Sequence, residues 1–132
     1  MQTIGIVIRK WEKDTNGKYK NVSKKNLNQQ IHTLHKKLKK EDVIYTEFSI
    51  EKDKHSNKYH SHLIIHHNNK EESIQRNLSK FIGGEEWKDR NDGLEVYREC
   101  NGKYGLVHTQ PIQNIDLYRN YINKYGELKT LI

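Results

Sequence analysis

Two alternating runs separated by six polar residues constrain this chain more than any other feature. Over 42–52, DVIYTEFSIEK, alternation puts Ile44, Phe48 and Ile50 on one face and Tyr45, Glu47, Ser49 and Glu51 on the other. After the polar DKHSNK comes YHSHLIIHH, which carries four of the eight histidines. Residues two apart on a strand share a face, so His60 and His62 project together while Ser61, Leu63 and Ile65 point the other way. Two such runs joined by a short polar segment predict an antiparallel hairpin with one apolar and one polar side.

The flanking segments extend this pattern. Residues 3–10 alternate Ile4, Ile6 and Ile8 against Gly5, Val7 and Arg9 and predict an opening strand, followed by a loop or hairpin tip in EKDTNGKYKN. Ser23 is a candidate N-cap for a helix carrying Leu27, Ile31, Leu34 and Leu38 at helical spacing. Ile74, Leu78 and Phe81 predict a second helix that stops at the glycine pair 83–84. Strand, turn at NGK and strand follow over 94–112, closed by Pro111. A last helix is expected to place Ile115, Tyr118, Ile122 and Tyr125 on one stripe, with Gly126 as its stop. The predicted order is strand, helix, strand, strand, helix, hairpin, helix. An α+β antiparallel sheet with helices packed on one face and the other face open accommodates it.

Only 33% of the 132 residues are hydrophobic and the mean hydropathy is −1.08, so the core is expected to be thin and to cover one side of the sheet. The length suits a single domain over 1–132. Lys and Arg number 24 against 17 Asp and Glu, a net charge of +7, which points to a polyanionic partner, nucleic acid being the commonest. Cys100 stands alone and excludes an internal disulfide. No run has membrane-spanning length and the N-terminal apolar stretch is too short for a signal core, so a cytoplasmic protein is expected.

The polar face of the hairpin carries the candidate chemistry. Two imidazoles need an anionic partner to hold a hard cation; Glu47 and Glu51 both lie on that face, and hairpin pairing brings Glu51 nearest His60. Two histidines and one carboxylate leave coordination positions open, as a catalytic divalent site requires. A plain polar solvent face is the competing reading. His66 and His67 are expected at the surface or behind the ligands, and His32, His35 and His55 in solvent. On the last helix Tyr121 and Lys124 are three apart and therefore neighbours.

HSH followed by LII, an upstream acidic strand, and YINK on a later helix together resemble the HUH endonucleases, specifically the rolling-circle replication initiators of viral or plasmid replicons. The resemblance implies a ferredoxin-like, RRM-like antiparallel sheet with the active site on its open face. It implies Glu51, His60 and His62 as ligands of a divalent metal ion, Mg²⁺ or Mn²⁺, Tyr121 as nucleophile and Lys124 as its catalytic neighbour. The implied partner is single-stranded DNA or a hairpin origin of replication. No G-x-x-x-x-G-K-[ST] occurs, so helicase and polymerase would be separate proteins. The resemblance further implies one nucleophile, with Tyr118 and Tyr125 as packing residues. Ser61 stands where the family usually has a bulky apolar residue. The alternatives are a single-tyrosine insertion-sequence transposase, metal binding without nuclease activity, or a non-catalytic RNA-binding module, against which stands the absence of its characteristic RNP1 sequence from this chain.

Overall fold

The computed structural model describes all residues except 14, 18, 22, 56–57, 84–85, 91 and 101–102, and leaves out the side chains of 11–13, 19–21, 100 and 103. The turn at 101–102 and the second glycine of the 83–84 pair thus lie outside the described residues. The strands are β1 (Gln2–Lys13), β2 (Tyr19–Asn21), β3 (Val43–Lys52), β4 (Tyr59–His67), β5 (Lys88–Arg90), β6 (Gly93–Cys100), β7 (Lys103–Pro111) and β8 (Lys129–Leu131). The helices are α1 (Lys24–Leu38), α2 (Glu71–Ile82) and α3 (Ile115–Ile122). The sheet is antiparallel with order β5-β6-β7-β1-β4-β3-β8, and β2 folds back on the far end of β1. Its centre, β7-β1-β4-β3 with α1 and α2 as crossovers, is the βαββαβ arrangement of ferredoxin-like folds.

Alternation decides the layers. Ile4, Ile6, Ile8, Phe48, Ile50, Leu63, Ile65, Val96 and Val107 form the apolar side, covered by Leu27, Ile31, Leu34 and Leu38 of α1 and Ile74 and Leu78 of α2. Ser23 caps α1 by accepting from the Asn26 amide at 3.2 Å. Gly83, at φ +72°, ends α2 in the left-handed conformation that glycine adopts without steric cost.

Three expectations change. Ile44 is 37% exposed and Val43, 2% exposed, takes its place in the core, because an irregularity between Val43 and Tyr45 inserts an extra residue and reverses the alternation. The last helix ends at Ile122, so Lys124 and Tyr125 sit in the following turn, and Tyr125 is exposed rather than packed. Asn123 caps the helix, its side chain accepts from the Leu128 amide at 3.1 Å, and the chain returns as β8 along the edge of β3. Third, the polar face is not fully open: α3 lies over β4 on that side, with Ile64 and Ile122 both buried. Gly5 permits this approach, since a Cβ there would stand 2.9 Å from the Tyr118 ring.

Candidate metal centre and the adjoining tyrosine

Register places the candidate ligands side by side. Glu51 pairs directly with His60, and His62 lies two residues further along β4 opposite Ser49. All three are buried, at 5%, 9% and 6% exposure. One carboxylate oxygen, Glu51 Oε2, lies 3.2 Å from His60 Nε2 and 3.4 Å from His62 Nε2, and the two nitrogens are 3.1 Å apart. Nitrogens each about 2.1 Å from a shared ion and at right angles to one another stand roughly 3 Å apart, so this spacing suits common coordination. Glu51 Oε1 and His62 Nδ1 are buried without a hydrogen-bond partner, and an uncompensated buried carboxylate oxygen is costly unless a cation meets it. This group can hold a metal ion.

The electrostatics prepare the ligands. Burial lowers the His62 pKa to about 4, with the His60 and Lys124 charges acting in the same direction against Glu51, so the ring is neutral near pH 7 with a nitrogen lone pair available. His60 Nδ1 lies 2.5 Å from Asp53 Oδ1, and Arg9 Nη1 donates to both Asp53 oxygens at 3.0 and 3.1 Å. Burial alone would raise the Asp53 carboxyl, but hydrogen bonds from Arg9 and His60 outweigh it and hold the pKa below its ordinary value. With Asp53 an anion accepting from Nδ1, the His60 ring is fixed with its Nε2 toward Glu51 and His62.

Sequence reasoning missed this Arg9–Asp53 support. Arg9 was legible, since it alternates with Ile8 onto the polar face; Asp53 lies just past the end of β3, where alternation no longer says which way a side chain points. Glu47, the other acidic candidate, is engaged elsewhere: His66 Nε2 lies 2.8 Å from it and Arg119 binds it through two nitrogens. His35, expected in solvent, is 6% exposed with its Nδ1 2.9 Å from Thr46 Oγ1, and His66 and His67 are buried at 2% and 0% rather than at the surface. His66 and His67 lie on β4, which α3 covers on one side and the core on the other, and His35 lies on the buried face of α1.

The tyrosines separate by environment. The Tyr121 ring meets His62 edge to face at 5.6 Å and is 55% exposed. Lys124 Nζ stands 3.0 Å from Glu51 Oε2 and 4.2 Å over the Tyr121 ring, which links the tyrosine to the histidine pair although Lys124 is outside the helix. The Tyr118 ring packs against Gly5, and burial pushes its hydroxyl up to about 12. An open groove of about 510 Å³ runs past the group, lined in part by Arg9, Lys52, Lys54, Tyr121 and Lys124. No described helix is long and apolar enough to cross a membrane. Comparison with protein-family models, with curated proteins and with solved structures finds no match for this chain.

Proposed function

We propose that this chain is a metal-dependent single-stranded DNA endonuclease and strand transferase of the HUH type, which initiates rolling-circle replication through a covalent 5′-phosphotyrosine. The observation that carries the reading is the placement of an exposed tyrosine against a buried Glu-His-His group: Tyr121 on His62, with Glu51 and His60 completing the set.

A phosphodiester repels nucleophiles by its charge, and a tyrosine hydroxyl with a pKa of about 10 is mostly protonated at neutral pH. Both obstacles call for positive charge. Glu51, His60 and His62 would hold a divalent ion, Mg²⁺ or Mn²⁺, which when bound polarises a non-bridging phosphate oxygen. Arg9, Lys52 and Lys54 line the groove and orient the flanking phosphates. Tyr121 Oη attacks phosphorus in line; the Oη–P bond forms, the P–O3′ bond breaks, and the 3′ oxygen leaves and takes up a proton. Lys124, over the Tyr121 ring, stabilises the phenolate as its proton departs to solvent. The phosphodiester is exchanged rather than hydrolysed, so the 3′ hydroxyl can attack the phosphotyrosine and rejoin the strand without ATP. Strand separation would come from a separate helicase, and a flexible single strand or hairpin loop reaches the tyrosine more readily than paired DNA.

The test is a denaturing gel of the protein incubated with single-stranded DNA and Mn²⁺ or Mg²⁺. A covalent adduct is expected that chelator abolishes and Tyr121→Phe abolishes. An adduct that survives Tyr121→Phe makes another residue the nucleophile, and the absence of adduct with every single strand and both ions removes the reading.

A further inference from the structure

The face that bears the metal group holds a second polar cluster that the proposed chemistry does not use. Arg119 Nε donates to Glu47 Oε1 at 2.8 Å and Nη2 donates to Oε2 at 3.0 Å, a fork gripping both oxygens. His66 Nε2 lies 2.8 Å from the same Oε2, and the His66 ring is stacked on Tyr45 at 3.8 Å with 13° between planes. Glu47 and His66 are 7% and 2% exposed. A buried ion pair is weak ground for added stability, because desolvation offsets most of the attraction; what it supplies is a fixed geometry.

The geometry fixed here is that of α3. This helix has eight residues, too few to persist alone in water, so its orientation is set by what it touches. Tyr118, against Gly5, and Ile122, buried at 1%, lie one turn apart and define its buried line. At 3.6 residues per turn, Arg119 stands roughly 100° round the axis from Tyr118, and Tyr121 roughly 60° round the other way. Arg119 and Tyr121 therefore straddle the buried line. Turning the helix so as to lift Arg119 off Glu47 drives Tyr121 away from its present seat on His62. We infer that the Arg119–Glu47–His66 cluster is a positioning device that sets the rotation of α3 and thereby holds Tyr121 against the metal group. The proposal rests on Tyr121 being the nucleophile for its consequence in catalysis, but not for its geometry.

Two readouts separate those parts. The first is the ring-current shift that Tyr121 imposes on the His62 ring protons, read by NMR without metal or DNA, with Tyr121→Leu as the zero. The second is the single-turnover rate of adduct formation at saturating single-stranded DNA and Mn²⁺. In Arg119→Ala the shift should move toward the zero and the rate should fall roughly 10²-fold, with DNA and Mn²⁺ affinities unchanged within about twofold. Glu47→Gln should behave alike, and Arg119→Lys should fall between, since an ammonium keeps the charge without the fork. An unchanged shift in Arg119→Ala overturns the proposal, and so does a rate loss with the shift intact, for Arg119 would then act by another route. If Arg119→Ala does not fold, Arg119→Lys and Glu47→Gln decide by the same criteria. If the wild type forms no adduct, the nuclease reading fails and the NMR shift alone decides the positioning.

Discussion

At the scale of single residues, the candidate centre is a buried carboxylate oxygen shared by two imidazoles and an ammonium, and each neighbour has a measurable effect on cation binding. Asp53 fixes the His60 ring with its Nε2 toward the group, so Asp53→Ala should weaken Mn²⁺ binding by about 10–100-fold in a calorimetric titration, with little change in Tm. Unchanged affinity would mean that packing alone orients His60. Lys124 acts in the opposite sense: its ammonium, 3.0 Å from Glu51 Oε2, occupies the electrostatic position a cation would take. Lys124→Met should therefore raise Mn²⁺ affinity, roughly three- to tenfold for a charge near a partly solvated site, while slowing adduct formation. Glu51, His60 and His62 were legible because strand parity is a rule of two: once the hairpin register is known, residues on one face are neighbours. Asp53 was not, because it lies beyond the strand end, and the burial of His66 was not, because a sequence does not say that a helix covers the polar face; His67 falls by parity on the apolar side with Leu63 and Ile65.

At the scale of elements, what positions the site is the seat of α3 on β3 and β4, and its ionic contact can be read from pH. Burial alone would raise the Glu47 carboxyl, but hydrogen bonds from Arg119 and His66 outweigh it and keep the folded-state pKa below the ordinary 4.5. A depressed carboxylate pKa contributes stability that is present above about pH 4.5 and is lost as pH falls through the lower, folded-state value. Glu47→Gln resembles the protonated side chain in shape, so the Tm gap between wild type and Glu47→Gln should be widest near neutrality and should close as pH falls below about 4.5. A gap that stays constant to lower pH would show that the contact is steric rather than ionic. The sequence showed this helix but overran it: apolar and aromatic spacing continues to Tyr125, while the Asn123 cap and its side-chain bond to Leu128 end the helix at Ile122. The three-residue strand β8 is too short to show periodicity, and the irregularity after Val43 is invisible to a rule that assumes unbroken alternation.

At the scale of the whole molecule, the sheet divides the chain into an apolar side under α1 and α2 and a polar side where His60, His62, Glu51, Arg9 and Lys124 meet. That division was legible, because alternation over four central strands needs no tertiary information; which cations of the +7 surplus face the groove was not. Salt dependence connects the charge to that face. A protein that neutralises Z phosphates of a single strand loses affinity with a slope of about −0.7Z in log K against log salt. If Arg9, Lys52, Lys54 and Lys124 in the groove each meet a phosphate, the slope for single-stranded DNA should be about −3. Lys52 and Lys54 are exposed in the groove lining and are not among the candidate ligands Glu51, His60 and His62, so they report phosphate binding apart from the metal group. Lys52→Ala and Lys54→Ala should each weaken binding alike on every DNA sequence and make the slope less steep by about 0.7, as read by fluorescence anisotropy from low to moderate salt. If both variants keep the wild-type slope, the strand runs elsewhere on the surface and the phosphate-orienting role assigned to this groove falls with it, whatever the metal group binds.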